Sequence, residues 1–256
     1  MTEHQPLPDR GKASQRNSEK RRGKTDGGPL GEPPQYSSAS NQAPPAQVRS
    51  LIPISKITTS GWGASSFTGY WFARALNEAG ALVVAPLRGA LADYREGARA
   101  ERVRRLSSAA EIIETAPFGS DRFLALAKDG GYDILCHHAA QVGDYRSVDF
   151  DIAGALAQNT ANLRVVLETL RNGGLKGTIL TGSVFEQNEG AGEAPLVAFS
   201  PYGLSKGLTA EVFHHRCREA GVRYAKFVIP NPFGPLEEPR FCAYLIRAWK
   251  KGRLRG

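Results

Sequence analysis

The sequence predicts an α/β fold, a doubly wound parallel sheet with helices on both faces, and three observations predict it. Short β-rich runs alternate with longer segments of helical period over about 180 residues from Leu51 onward. A turn rich in glycine and serine, at 60–69, joins the first β-rich run directly to the first helical segment. Apolar residues make up 41% of the chain and charged residues 23%, which supports a packed core and excludes a fibrous or wholly disordered chain.

In chain order, 51–59 reads as a strand, 67–79 as a helix and 81–87 as a second strand. No element is assigned between 88 and 131. The apolar run 132–137 is another strand, 152–171 one helix, 177–181 a strand, 202–219 a helix, 224–229 a strand and 241–250 a short final helix. Sheets of this kind bind ligands beyond the carboxyl ends of their strands, so residues at those ends are the place to look for chemistry.

Composition removes several function classes. Cysteines 136, 217 and 242 form no C-x-x-C pair and lack the spaced His/Cys partners of a zinc site, so neither a disulfide framework nor a structural metal is expected. A reducing, cytoplasmic setting is the expectation that follows. The longest apolar runs fall short of a membrane span, so no membrane partner is expected. The net charge of +8 sits at the ends, +3 within 1–50 and +6 within 240–256. A near-neutral body between them argues against a specific nucleic-acid partner. Residues 1–50 are Gly, Pro, Ser, Gln, Asn and charge, which predicts a disordered basic leader.

The turn Ser60-Gly61-Trp62-Gly63-Ala64-Ser65-Ser66-Phe67-Thr68-Gly69 follows a strand and opens a helix, the position of a dinucleotide-binding turn. Two registers are open. Gly63-x-x-Ser66-x-x-Gly69 lacks its middle glycine, and Gly61-x-Gly63-x-x-Ser66 lacks its last. In the first, a Cβ at Ser66 is expected to restrict φ and crowd a pyrophosphate. Gly63, Ser65, Ser66, Phe67, Thr68 and Gly69 are the candidate contacts. The second strand is expected to end at Arg88, where an acidic residue would hold the ribose of NAD; arginine suits a 2′-phosphate and leans the choice toward NADP.

Ser200-Pro201-Tyr202-Gly203-Leu204-Ser205-Lys206 opens the helix at 202–219, with Tyr202 and Lys206 one turn apart on one face. A phenol is a poor base at neutral pH; a neighbouring ammonium favours phenolate and fits the pair to move a proton at a hydroxyl or carbonyl oxygen. Ser183, beyond the strand 177–181, is expected to hydrogen-bond the same oxygen.

These ordered landmarks resemble the NAD-dependent epimerase/dehydratase family of extended short-chain dehydrogenase/reductases, over about residues 54 to 250. The glycine turn is similar to the family's T-G-x-x-G-x-x-G, with Trp62 and Ser66 as departures. Asp133-Ile134-Leu135-Cys136-His137-His138-Ala139-Ala140 resembles its D-V-V-I-H-L-A-A strand. Asn159 matches the asparagine of its central helix, Thr181-Gly182-Ser183 its serine-bearing strand end, and Pro201 to Lys206 with Glu211 its catalytic helix. Pro230-Asn231-Pro232-Phe233-Gly234-Pro235 resembles its N-x-x-G-P loop.

The resemblance implies a Rossmann-like dinucleotide domain at 51–240 binding NAD or NADP, with a nucleotide sugar as substrate. It implies Tyr202 as general acid/base, Lys206 holding the nicotinamide ribose, and Ser183 orienting the substrate oxygen. His137, Ala139, Ala140, Asn159, Thr181, Pro230 and Asn231 would line the cofactor, and Glu186 is a further acid for dehydration or a loop residue. A homodimer is a further implication. Residues 241–256 are expected to be the start of a truncated substrate domain or a basic tail, leaving apolar faces exposed. Three readings follow: a sugar-modifying enzyme, an inactive dinucleotide-binding remnant, and a reductase of small carbonyl compounds.

Overall fold

Strands β1 (Lys56–Thr59), β2 (Leu82–Pro86), β3 (Glu111–Ile113), β4 (Ile134–His137), β5 (Gly177–Ser183) and β6 (Arg223–Ile229) form one sheet in the order β3-β2-β1-β4-β5-β6. This computed structural model describes residues 56–59, 63–138, 140–239 and 241–252. The expected leader, the first half of the first strand, Gly61, Trp62 and Ala139 lie outside the described residues. Every neighbouring pair of strands is parallel. Chain order reverses between β1 and β4, which opens a crevice beyond their carboxyl ends. The doubly wound, Rossmann-like fold read from the sequence is the fold observed.

Helices α1 (Phe67–Glu78), α2 (Gly97–Leu106), α3 (Asp121–Lys128), α4 (Ile152–Asn159), α5 (Leu163–Asn172), α6 (Pro201–Ala220) and α7 (Phe241–Lys250) cover the sheet. Alternation along β2 divides the core. Val84 packs with Phe123 of α3, Leu167 of α5 and Phe213 of α6. Val83 and Ala85, on the other face, pack with Tyr70 and Ala73 of α1 and with Val103 and Leu106 of α2.

Two expectations need correction. The single helix at 152–171 is two, because Asn162 takes a left-handed conformation at φ 50°. Its side-chain amide donates to Gly119 O at 2.7 Å, and asparagine tolerates this region where most residues do not. The second strand ends at Pro86, so Arg88 stands two residues beyond it and exposed. The region left unassigned holds α2, β3 and α3. The α2 sequence Gly-Ala-Arg-Ala-Glu-Arg-Val-Arg-Arg-Leu is too charged to show an apolar stripe, and β3 is only three residues long.

Among the described residues, exposed large apolar side chains include Phe227, Phe233, Phe241, Tyr244 and Trp249. No helix of the described residues is long and apolar enough to cross a membrane, and none of their His, Cys, Asp and Glu side chains group as a metal site.

Candidate active site

The glycine turn places the first turn of α1 beyond β1, at the crevice. A Cβ on Gly69 would meet Gly63 O at 1.6 Å, so only glycine permits this approach of helix to turn. That contact selects the register Gly63-x-x-Ser66-x-x-Gly69. Ser66 departs from expectation: its φ of −73° asks nothing of glycine, and it serves as the N-cap of α1. Its Oγ accepts from Gly69 N at 3.0 Å and donates to Gly63 O at 2.6 Å. The serine therefore braces the turn from within, where the sequence suggested it would strain it.

Helix α6 is started by Ser200, whose Oγ accepts from Gly203 N at 3.1 Å, with Pro201 in the first turn, and is stopped by Gly221 at φ 66°. A Cβ on Gly203 would meet Phe185 O at 1.9 Å, so α6 rides directly on the loop after β5. This approach carries Lys206 to the end of β5. Lys206 is 3% exposed, and its Nζ donates to Thr181 O at 2.6 Å. Burial lowers its pKa to about 8, with Glu186 opposing and Lys226 adding to the shift. Tyr202, one turn earlier, is held edge-on by the rings of Phe150 at 5.9 Å and Tyr145 at 6.0 Å.

Ser183 is the last residue of β5 and lies inside the strand, which runs two residues further than expected. Its Oγ accepts from Phe185 N at 3.2 Å, and its backbone N–H donates to Glu186 Oε1 at 2.7 Å. Glu186 is 1% exposed and its other oxygen pairs with Lys226 at 3.2 Å, so the carboxylate is a buried ion-paired brace, which removes it as a free acid for dehydration.

The remaining candidates separate. His138 stacks on Phe72 with centroids 4.7 Å apart and has Nδ1 against Thr181 Oγ1. Burial, reinforced by Lys206, lowers its pKa to about 4, so the imidazole is neutral. His137 was expected at the cofactor, but its ring lies in the aromatic core, 4.4 Å from Phe213 and 4.7 Å from Phe118. Burial holds its pKa well below the ordinary histidine value, which suits an apolar site. Asn159 works as a tie: Oδ1 accepts from Gln141 N at 2.9 Å, just past the half-buried Ala140, and Nδ2 donates to Thr209 Oγ1 at 3.2 Å in α6. Pro230 and Asn231 follow β6 and are exposed. Beside this region, a cavity of about 270 Å³ is lined by Gln141, Asp144, Phe150 and Gln158, so Phe150 connects it to Tyr202.

Sequence reasoning missed Arg102. Its guanidinium is fully buried, donating from Nε to Ser65 O at 2.9 Å and from Nη1 to Leu236 O at 2.6 Å, and pairing with Glu238. One arginine among four on a charged helix carries no periodic signal that singles it out.

The sequence pattern of the NAD dependent epimerase/dehydratase family matches residues 62–255. No curated protein matches the chain. Among solved structures it is similar in fold to UDP-glucose 4-epimerase with UDP-glucose from Thermotoga maritima, at 22% identity and TM-score 0.56, over 72% of this chain and 58% of that one. UDP-glucuronic acid 4-epimerase from Bacillus cereus, in complex with UDP-glucuronic acid and NAD, matches at 20% identity and TM-score 0.58, over 77% and 63%. A dTDP-glucose 4,6-dehydratase from Streptomyces venezuelae with NAD bound matches at 19% and TM-score 0.57, over 77% and 62%. The chain thus spans between 58% and 63% of the length of these three relatives.

Proposed function

The chain belongs to the NAD dependent epimerase/dehydratase family, and from that premise we propose that it is a nicotinamide-dinucleotide-dependent enzyme of nucleotide sugars with Tyr202, Lys206 and Ser183 as its working residues. One observation carries the reading: a buried lysine, fixed by Thr181 O at 2.6 Å, stands one helical turn from Tyr202 at the mouth of a doubly wound sheet. Few structural needs justify burying an ammonium there, whereas charging a phenol does.

The residues fit a dinucleotide. Gly69 leaves room for the turn to close against Gly63, and the N-terminus of α1 faces the crevice, where its amides and dipole favour a pyrophosphate. Gly63, Ser65, Ser66, Phe67 and Thr68 would hold it, and Lys206 would hold the ribose beside the nicotinamide. A bound dinucleotide supplies hydride acceptance and donation at a sugar carbon. The chain's own part is the proton. Tyr202 takes it from the sugar hydroxyl as phenolate and returns it as phenol, with the Lys206 charge stabilising the phenolate. Ser183 Oγ hydrogen-bonds the same oxygen and fixes its direction.

Calorimetric titration with NAD and NADP, followed by turnover assays with UDP- and dTDP-sugars, tests the proposal. The exposed Arg88 favours NADP, and the two titrations read that preference directly. In Tyr202→Phe, turnover is expected to fall about a hundredfold or more while dinucleotide affinity is retained. Failure of the parent to bind either dinucleotide, or parental turnover in the variant, overturns the reading.

A further inference from the structure

Arg102 lies outside every motif that suggested the function, yet it touches the glycine turn and the residues just after the Pro230 to Pro235 motif. Its helix, α2, packs on α1, and its guanidinium reaches Ser65 O in the glycine turn and Leu236 O and Glu238 in the loop after β6. Those partners are 37, 134 and 136 residues away in sequence. A buried arginine costs several kcal/mol in desolvation unless its donors are satisfied, and the planar fork meets three acceptors here at fixed angles. The loop is gripped at further points. Trp71 Nε1 donates to Pro235 O at 3.2 Å, and a Cβ on Gly234, which holds φ 155°, would stand 3.5 Å from the Phe67 ring.

Leu236 gives an independent sign. It holds φ 67°, a left-handed conformation unfavourable for leucine, while its side chain packs on the cluster of Tyr70, Ala73, Val103 and Leu106. The strained residue is the one whose carbonyl Arg102 binds. The loop is therefore bent to fit the turn, and the arginine fixes the bend.

We propose that Arg102 is a positioning residue that locks the loop after β6 onto the glycine turn, so that dinucleotide binding and seating of the loop are coupled. The proposal rests on the dinucleotide reading above. Its physical content is reciprocal: to the extent that a bound dinucleotide steadies the turn, it steadies the loop, and a loosened loop lowers dinucleotide affinity by the same factor. Glu238, with a side chain 38% exposed, neutralises the guanidinium at the loop end and completes the lock.

The experiment compares the full chain with Glu238→Gln and Arg102→Lys. Glu238→Gln alters a partly exposed group and preserves the fold even if the arginine variant does not. Amide hydrogen exchange is followed at 63–70 and 234–238 without ligand and with saturating dinucleotide, beside calorimetric titration and thermal melting. In the parent, dinucleotide is expected to slow exchange in both segments. In both variants exchange rises in the two segments together and dinucleotide affinity falls about tenfold, and in Glu238→Gln, which keeps an oxygen against the guanidinium, the melting midpoint of the ligand-free protein moves little. A merely structural arginine would shift melting and leave the two segments unlinked. A parent that binds while both variants bind equally well overturns the lock and leaves the enzyme reading standing. A parent that binds neither dinucleotide overturns the enzyme reading and this coupling with it.

Discussion

Replacing Lys206 by methionine isolates the cost of burying its ammonium. The folded pKa of about 8 lies below the ordinary 10.5, so between these values the unfolded chain binds more protons than the folded one. Stability therefore rises with pH through that window: the penalty is full below pH 8 and gone above 10.5. At about 1.4 kcal/mol per unit, the penalty at neutral pH is about 3 kcal/mol, and about 2 kcal/mol of it is recovered between about pH 7 and 9.5. Methionine keeps most of the buried volume but cannot titrate. Its loss of the bond to Thr181 O shifts stability at every pH, whereas the difference in slope belongs to the charge. Denaturant unfolding of parent and variant at several pH values, with all other groups common to both, reads that slope as a difference of differences. The parent is expected to gain on the variant by about 2 kcal/mol across this range. A constant difference would refute the burial argument and, with it, the idea that Lys206 is held as a desolvated cation beside Tyr202.

Gly69→Ala forces a Cβ against the Gly63 carbonyl, where backbone must yield, so it is expected to cost about 2 kcal/mol or more in denaturant unfolding and to weaken dinucleotide binding; near-parental stability and affinity would show that the turn is looser than its packing indicates. Glu186→Gln removes a buried anion but leaves Lys226 paired with Glu189 at 2.6 Å, placing the expected loss near the low end for a broken buried pair, about 2 to 3 kcal/mol. Because Glu186 raises the Lys206 pKa, the same variant is expected to start the Lys206 stability gain at lower pH, and an unmoved onset would separate the two groups electrostatically.

Much of the fold was legible because its signals are local. Apolar runs marked β2, β4 and β5, and the helix expected at 202–219 lies within a residue of each end of α6. Where signals were weak or the decision was tertiary, the reading failed. Asn162 breaks a continuous helical pattern because Gly119 and Ala161 meet backbone to backbone, a contact no periodicity reports. The site divides the same way. Spacing placed Tyr202 and Lys206 on one face and Ser183 at a strand end, but that Ser66 caps a helix, His137 enters the core and Glu186 braces a loop depends on surroundings that spacing does not report.

The sequence by itself determined that a glycine turn opens the first helix and that Tyr202 and Lys206 share one helix face, because residues within a turn of one another are constrained by covalent geometry and hydrogen bonding alone. Only the tertiary structure decided that Lys206 loses its water and finds Thr181 O across 25 residues, that Glu186 pairs with Lys226 across 40, and that Arg102 ties the glycine turn to a loop more than 130 residues on. Desolvation and long-range pairing depend on what the completed fold brings alongside, and the energies that set charge in a site depend on it as well.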